Sequence, residues 1–271
     1  MAANQPTPAV TVLIGAYDNE ETVARAVASI LAQSERRLEL IVIDDGSRDR
    51  SAAVAEEAIG ADPRGRVMRM GRNLGIARSL NAGLEAAAAA VVAIQDADDY
   101  STPERLERQL AVLDGDSGVA VVGTRMREVD GQDSELRPRT TFAAGDVGPV
   151  LMHFNPIPNG CSAFRREVAL ALGGYDPRYR YATEYDLWLR IAERHRLVTI
   201  NEQLCTRVMG GGNVAARAER AQLAEGLELR ARALRRRRTV RGAGGLLRPA
   251  LSYVLPAPLK RALRERRGQA P

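Results

Sequence analysis

Asp96, Asp98 and Asp99 stand within four positions of one another in VVAIQDADDY, Val91 to Tyr100, directly after a run of apolar and small residues. Two carboxylates about 4 Å apart repel by roughly 4 kcal/mol at an effective dielectric near 20. The cluster must therefore splay into water or gather around a cation. Four chemistries compete for it. The acids can be solvated, capping the helix that follows. They can begin a calcium loop, with Asp96, Asp98 and Glu107 at its first, third and twelfth positions, but Tyr100 takes the fifth ligand position and Ser101 stands where the turn needs Gly. A phosphatase-type aspartyl nucleophile is a third option, although that chemistry belongs on a first strand. The fourth is a hard divalent cation, Mg²⁺ or Mn²⁺, shared with the phosphates of a nucleotide.

The elements around the cluster favour the fourth. VTVLIGAY, LELIVIDD, RVMRM, VVAIQD and GVAVVG read as five strands, separated by helical patterns at Glu20–Ala32, Ser51–Ala58, GIARSLNAGLEAAAAA and Pro103–Leu113. Continuous apolar strands alternating with helices predict an α/β fold, a mostly parallel sheet covered on both faces. Ligands of such sheets bind outside the carboxyl ends of the strands. DADD ends the fourth strand there, and Asp44 and Asp45 of DDGS end the second, so one shared site is expected. The chain has neither GxGxxG after its first strand nor a P-loop pattern anywhere, so a metal would do the phosphate binding that those loops do elsewhere.

After Gly123 the alternation breaks. The polar excursion TRMREVDGQDSELRPRTT reads as a hairpin or loop, NPIPNG as a turn, CSAFRREV as a strand entering a helix, TEYDLWLRIAERH as an amphipathic helix and LVTINEQLCTRV as further strand. Trp188 on that helix reads as core, with sugar stacking as the alternative.

Composition sets the outer limits. With 45% hydrophobic and 27% charged residues, the 271-residue chain reads as globular. It has no apolar run long enough for a bilayer span and no secretory pattern at its N-terminus, so it is expected to stay in the cytoplasm. Cys161 and Cys205 read as buried small hydrophobes, and with only His153 and His195 beside them a zinc site is not expected. Charge is unevenly placed: residues 217–271 hold 15 basic and 4 acidic residues, a net +11, whereas residues 1–216 hold 24 basic and 30 acidic, a net −6.

These residues resemble a family, the inverting glycosyltransferases of family 2 with the GT-A fold, a Rossmann-like sheet. The resemblance runs from about Val10 to Asn213 through VTVLIGAYDNEETVARAVASILAQ, LELIVIDDGSRDRS, GRNLGIARSLNAGL, IQDADDYSTPERL, NPIPNGCSAFRRE, LGGYDPRY and TEYDLWLRIA, in the family's order. It implies a nucleotide-diphosphate-sugar donor, with a lean to UDP, a hexosyl group transferred, and a glycan or lipid-linked acceptor in cell-envelope polysaccharide synthesis. It places Tyr17 beside the base and Asp45 on the base NH, with Asp44 in support. Asp96 falls on the ribose, Asp98 on the metal with Asp99 as second acid, and Arg78 and Arg207 within reach of the nucleotide. The base that takes the acceptor proton falls on Glu184, with Asp186 as the fallback, because Thr183 and Glu184 occupy the family's Glu-Asp pair. Met209 stands where many relatives have His, and Asn159 and Gly160 replace another frequent motif. These departures imply weaker metal dependence, and they keep open a catalytically weak nucleotide-sugar-binding protein of the same fold.

The division expected is a domain over residues 1–215, with a donor half to about 124 and an acceptor half beyond, and a basic helical tail over 216–271. Arg230, Arg232, Arg235 to Arg238 and Arg241 crowd this tail, and LLRPALSYVLPAPLKRALRER mixes Leu and Val with Arg. That composition suits the surface of an anionic membrane, so a peripheral position on its inner face is expected. With one aromatic residue, Tyr253, and no recognition motif, the tail is not expected to bind nucleic acid.

Overall fold

A computed structural model of the chain describes residues 7–136, 142–209 and 219–237. Strands β1 (Val10–Ala16), β2 (Leu38–Asp44), β3 (Gly65–Arg69) and β4 (Val91–Asp96) alternate with helices α1 (Val23–Leu31), α2 (Ser51–Ile59) and α3 (Ile76–Ala86). Then come β5 (Tyr100–Ser101), α4 (Arg105–Gly115), β6 (Val119–Val129), β7 (Gly145–Asp146), β8 (Ser162–Arg165), α5 (Arg166–Ala171), α6 (Thr183–Ile191), β9 (Arg196–Val208) and α7 (Glu219–Arg237). The nine strands form one sheet in the order β3-β2-β1-β4-β8-β6-β9-β5, with β7 on β9. The first four strands are parallel, and β8 lies antiparallel between β4 and β6.

Successive side chains of a strand point to opposite faces, and here both faces are covered. Leu13 of β1 and Ile41 and Ile43 of β2 pack with Leu80 and Leu84 of α3 and with Trp188 of α6. Val12, Ile14, Leu40 and Val42 point the other way, against Val23, Val27 and Ile30 of α1 and Leu106, Leu110 and Leu113 of α4. Trp188 is fully buried, donates Nε1–H to the Ile157 carbonyl at 2.9 Å and sets its ring edge-on to Phe164, so it is core. Cys161 and Cys205 are buried beside Met126, as small hydrophobes would be.

Beyond Gly123 the elements are longer and more interlocked than local pattern predicts. The strand that begins at GVAVVG continues through Val129, and it pairs with β9 across two register shifts near Thr124 and Arg125. Tyr100 and Ser101 form a short strand on Thr206 and Cys205, which ties the segment after the aspartates to β9. The expected boundary at 215/216 falls outside the described residues, and α7 beyond it packs on the body: Leu229 and Ala233 join the α6 core. Arg230, counted among the crowded arginines of the basic tail, is only 7% exposed. Residues 238–271, with most of the expected membrane-facing segment, lie outside the described residues. Among those described, no helix is long and apolar enough to cross a membrane.

Candidate active site

The carboxyl ends of β1, β2 and β4 lie side by side, and β9 closes them from across the sheet. After β1, Tyr17 is 37% exposed, with the Arg48 guanidinium 5.6 Å above its ring. Arg48 is held by Asp18, whose carboxylate accepts from the Arg48 backbone N–H at 2.8 Å and from its side chain. Sequence reasoning missed Arg48, whose signal would have been its place in the loop after DDGS, facing the loop after β1.

After β2, both acids are committed to backbone. Asp45 accepts from the N–H groups of Leu74 at 2.8 Å and Gly75 at 2.9 Å, which fixes the N-terminus of α3. Asp44 accepts from Ser47 N–H at 3.2 Å. Gly46 turns directly after them at φ 74°, where a Cβ would sit 2.4 Å from the Arg72 backbone, so the loop requires Gly. Each carboxylate oxygen keeps accepting capacity for a ligand donor. Arg78 is exposed and donates to the Leu74 carbonyl at 3.2 Å.

The β4 end gathers the charge. Ligand oxygens of Asp96, Asp98 and Asp99 all lie within 4.8 Å of one another. Asp99 is 2% exposed; its Oδ1 accepts from Val208 N–H at 3.1 Å, and its buried Oδ2 accepts no hydrogen bond. Arg207 of β9 reaches that Oδ2 only as an ion pair, at 3.7 Å. An orphaned carboxylate oxygen converging with two other carboxylates suits a hard cation, which takes oxygen ligands and would satisfy it. Burial, with Asp98 adding, pushes the Asp96 carboxyl up to about 6. Burial and then Asp96 and Asp98 hold Asp99 well above the usual carboxylate range. Gly160 closes over Asp96 so tightly that a Cβ there would lie 2.5 Å from its Oδ2.

Beneath this loop lies a network invisible to periodicity. Arg105 is fully buried and donates to Gln95 and Ser101 at 3.0 Å, to the carbonyls of Ile94 at 2.6 Å and Ser162 at 3.1 Å, and to Gln109 at 3.1 Å. Its fork thereby ties β4, β5, α4 and β8 together. In the sequence Arg105 looks like one more solvated cation of a surface helix.

On α6, Glu184 is half-buried; its Oε1 accepts from Asn155 Nδ2–H at 2.9 Å. Burial pushes its carboxyl up to about 7, with the Asp96 charge adding and Arg207 opposing. Glu184, Asp96 and Arg207 thus share one electrostatic site, and buried Tyr175, bonded to Asn159 at 3.0 Å, feels both acids. Asp186 sits elsewhere: it is 3% exposed and ion-paired to Arg190 at 2.7 Å, and Arg190 also holds the carbonyls of Leu172 and Gly174. That pairing leaves Glu184, whose Oε2 accepts only a long 3.5 Å hydrogen bond from Thr183 Oγ1–H, as the acid with accepting capacity to spare. Met209 follows Arg207 by two residues and donates its backbone N–H to the Val129 carbonyl at 2.7 Å.

A profile described as Glycosyl transferase family 2 matches residues 11–172. The amylovoran biosynthesis glycosyltransferase AmsE of Erwinia amylovora is 29% identical over 207 residues, 75% of this chain and 77% of the relative. Among solved structures, S. aureus TarS 1-349 in complex with UDP-GlcNAc superposes with a TM-score of 0.69 at 18% identity, over 83% of this chain and 66% of that one, so the chain spans just under two thirds of that fragment. The mannosyltransferase PcManGT from Pyrobaculum calidifontis, in complex with GDP-Man and Mn²⁺, superposes with a TM-score of 0.66 at 20% identity, over 97% of this chain and 81% of that one. At these identities the superpositions establish the fold, which is GT-A, and the aspartate triad resembles the DxD motif of that fold.

Proposed function

The chain belongs to glycosyl transferase family 2, and from that membership we propose that it is an inverting hexosyltransferase using a nucleotide-diphosphate sugar, with UDP the favoured nucleotide. The observation that carries the reading is the convergence of Asp96, Asp98 and the orphaned Asp99 carboxylate with Arg207, within electrostatic reach of Glu184. Tyr17, under Arg48, offers a face for the base, Asp45 and Asp44 shape the loop beside it, Arg78 flanks it and Asp96 lies on the ribose side. Asp98 and Asp99 would hold a divalent cation, Mg²⁺ or Mn²⁺, which when bound offsets charge on the diphosphate as the sugar leaves. Arg207 supplies a fixed positive charge to the same phosphates.

Glu184 does the proton chemistry. Asn155 holds Oε1, and Thr183 Oγ1–H meets Oε2 only at 3.5 Å, so Oε2 keeps a lone pair to take the proton from the acceptor hydroxyl as its oxygen attacks the anomeric carbon. The bond from that carbon to the diphosphate oxygen breaks in the same displacement, which inverts the configuration. AmsE is named for biosynthesis of the polysaccharide amylovoran, and that supports a glycan or lipid-linked acceptor in polysaccharide synthesis. The basic composition of residues 238–271 supports contact with an anionic membrane surface.

The deciding experiment is release of nucleotide diphosphate from a panel of UDP, GDP and dTDP sugars with Mg²⁺ or Mn²⁺ and a candidate acceptor. Turnover of one donor, abolished by Asp98→Ala and reduced on the order of 10² to 10⁴ by Glu184→Gln, is the expected result. A protein that binds no nucleotide in this panel contradicts the reading of the acidic edge.

A further inference from the structure

Two arginines are buried among the described residues, and they differ in one respect. Arg105 has its three guanidinium nitrogens all engaged, whereas Arg230, 7% exposed, has a buried Nε–H with no partner. Its Nη1 donates to the Gly226 carbonyl at 3.1 Å and its Nη2 to the His153 carbonyl at 3.2 Å, and its Cζ lies 5.1 Å from the Tyr185 ring centre. No carboxylate among the described residues forms an ion pair with it. An uncompensated buried cation is costly unless an anion joins it. Arg230 lines a cavity of about 240 Å³ whose walls also include Asn155, Glu184, Tyr185, Gln222 and Gly226. The lining therefore includes both the carboxylate assigned to the acceptor proton and a guanidinium of α7 whose Nε–H has no partner and which no carboxylate among the described residues neutralises.

We propose that this cavity seats the acceptor and that Arg230 selects one carrying an anionic group, a carboxylate or a phosphate, close to the hydroxyl that reacts. The inference rests on Glu184 as the proton acceptor, and it goes beyond that reading by giving α7, which lies outside the family match at residues 11–172, the choice of acceptor. The geometry of α7 serves this. At Gly226 a Cβ would lie 3.2 Å from Arg230 Nη1, so Gly226 leaves both the cavity volume and the room for the guanidinium to fold back. Glu225, one residue earlier, accepts from the backbone N–H groups of Arg180 at 3.0 Å, Tyr181 at 2.8 Å and Ala182 at 2.9 Å, which fixes α7 against the start of the helix that carries Glu184. Both groups of the lining are thereby held in register.

The test uses the full-length protein loaded with Mn²⁺ and the nucleotide diphosphate it binds, so that the donor site is filled. Titrations with glucuronate, inorganic phosphate and, as the neutral control, glucose are read by calorimetry. The expected result is that glucuronate or phosphate binds about tenfold or more tightly than glucose, the size of a charge-assisted hydrogen bond. That preference should fall to within about twofold in Arg230→Met and survive in part in Arg230→Lys. The better of the two anions assigns the acceptor group to the carboxylate or the phosphate class. Gly226→Leu, which fills the cavity without removing the charge, should abolish binding of all three probes and gives a second line of evidence if Arg230→Met does not fold. Equal binding of glucose and both anions, no binding of either anion to the loaded wild type, or a preference that persists in Arg230→Met overturns the proposal. Failure to load any nucleotide is a different outcome, which contradicts the donor-site reading itself.

Discussion

At the scale of single residues, the site is governed by carboxylates held away from their ordinary protonation. In the proposed reaction Glu184 must be ionised to take the acceptor's proton, and its carboxyl is pushed up to about 7 by burial. With acceptor saturating, the rate is expected to fall about tenfold per pH unit below that value, and a pH profile of nucleotide release measures it. The same shift acts on stability with a definite sign. Because the folded value exceeds the ordinary 4.5, the stability it contributes is present at low pH and is lost as pH rises through about 7. Glu184→Gln is therefore expected to be less active yet more stable than wild type at pH 8, by about 1 kcal/mol after allowance for solvent screening, with the gap closing near pH 4. Urea melts of the metal-free proteins at the two pH values test this. Gly160 poses the complementary case. A Cβ 2.5 Å from Asp96 Oδ2 must displace that carboxylate, so Gly160→Ala is expected to weaken Mn²⁺ binding about tenfold or more while circular dichroism stays native. The acidic residues themselves were legible in the sequence, because clustered acids at the end of an apolar strand have few uses. Their partners across the fold were not: Asn155 on Glu184 and Arg48 over Tyr17 meet only through tertiary structure, whereas Arg190 on Asp186 is a local i,i+4 pair of one helix.

At the scale of elements, what was legible followed local period. The first four strands and three helices read directly, since each is an apolar run or a helical stripe that needs no knowledge of its neighbours. Beyond Gly123 the strands at CSAFRREV and LVTINEQLCTRV also read, but polar stretches that become strand only through pairing did not. The last six residues of β6 are polar enough to pass for a loop and become strand only because β9 runs beside them. Arg105 shows the same limit in a helix, where its worth lies in the carbonyls of Ile94 and Ser162, far apart in sequence. Arg105→Leu removes the fork and leaves those carbonyls unpaired, and a loss on the order of 3 kcal/mol is expected in equilibrium denaturation. Glu225→Ala should cost less, about 1 to 2 kcal/mol, because the three N–H groups it leaves lie at a helix start close to water.

At the scale of the whole molecule, the basic end of the chain is divided in its duties. Composition sets residues 216–271 apart by charge, yet α7 contributes Leu229 and Ala233 to the same core as Trp188 and Leu80. Charge counts are blind to this, since an apolar residue every few positions in an arginine-rich helix barely alters them. The sheet has a different lesson, in its order of assembly. Val208 N–H meets Asp99 Oδ1 across 109 residues of sequence, and β5 rests on the same strand. Loops of that length close late, after local contacts have formed. During synthesis, then, the triad is displayed long before the strand that orders it has emerged, and a nascent chain stalled before β9 is expected to present its acidic edge without the contact that fixes Asp99.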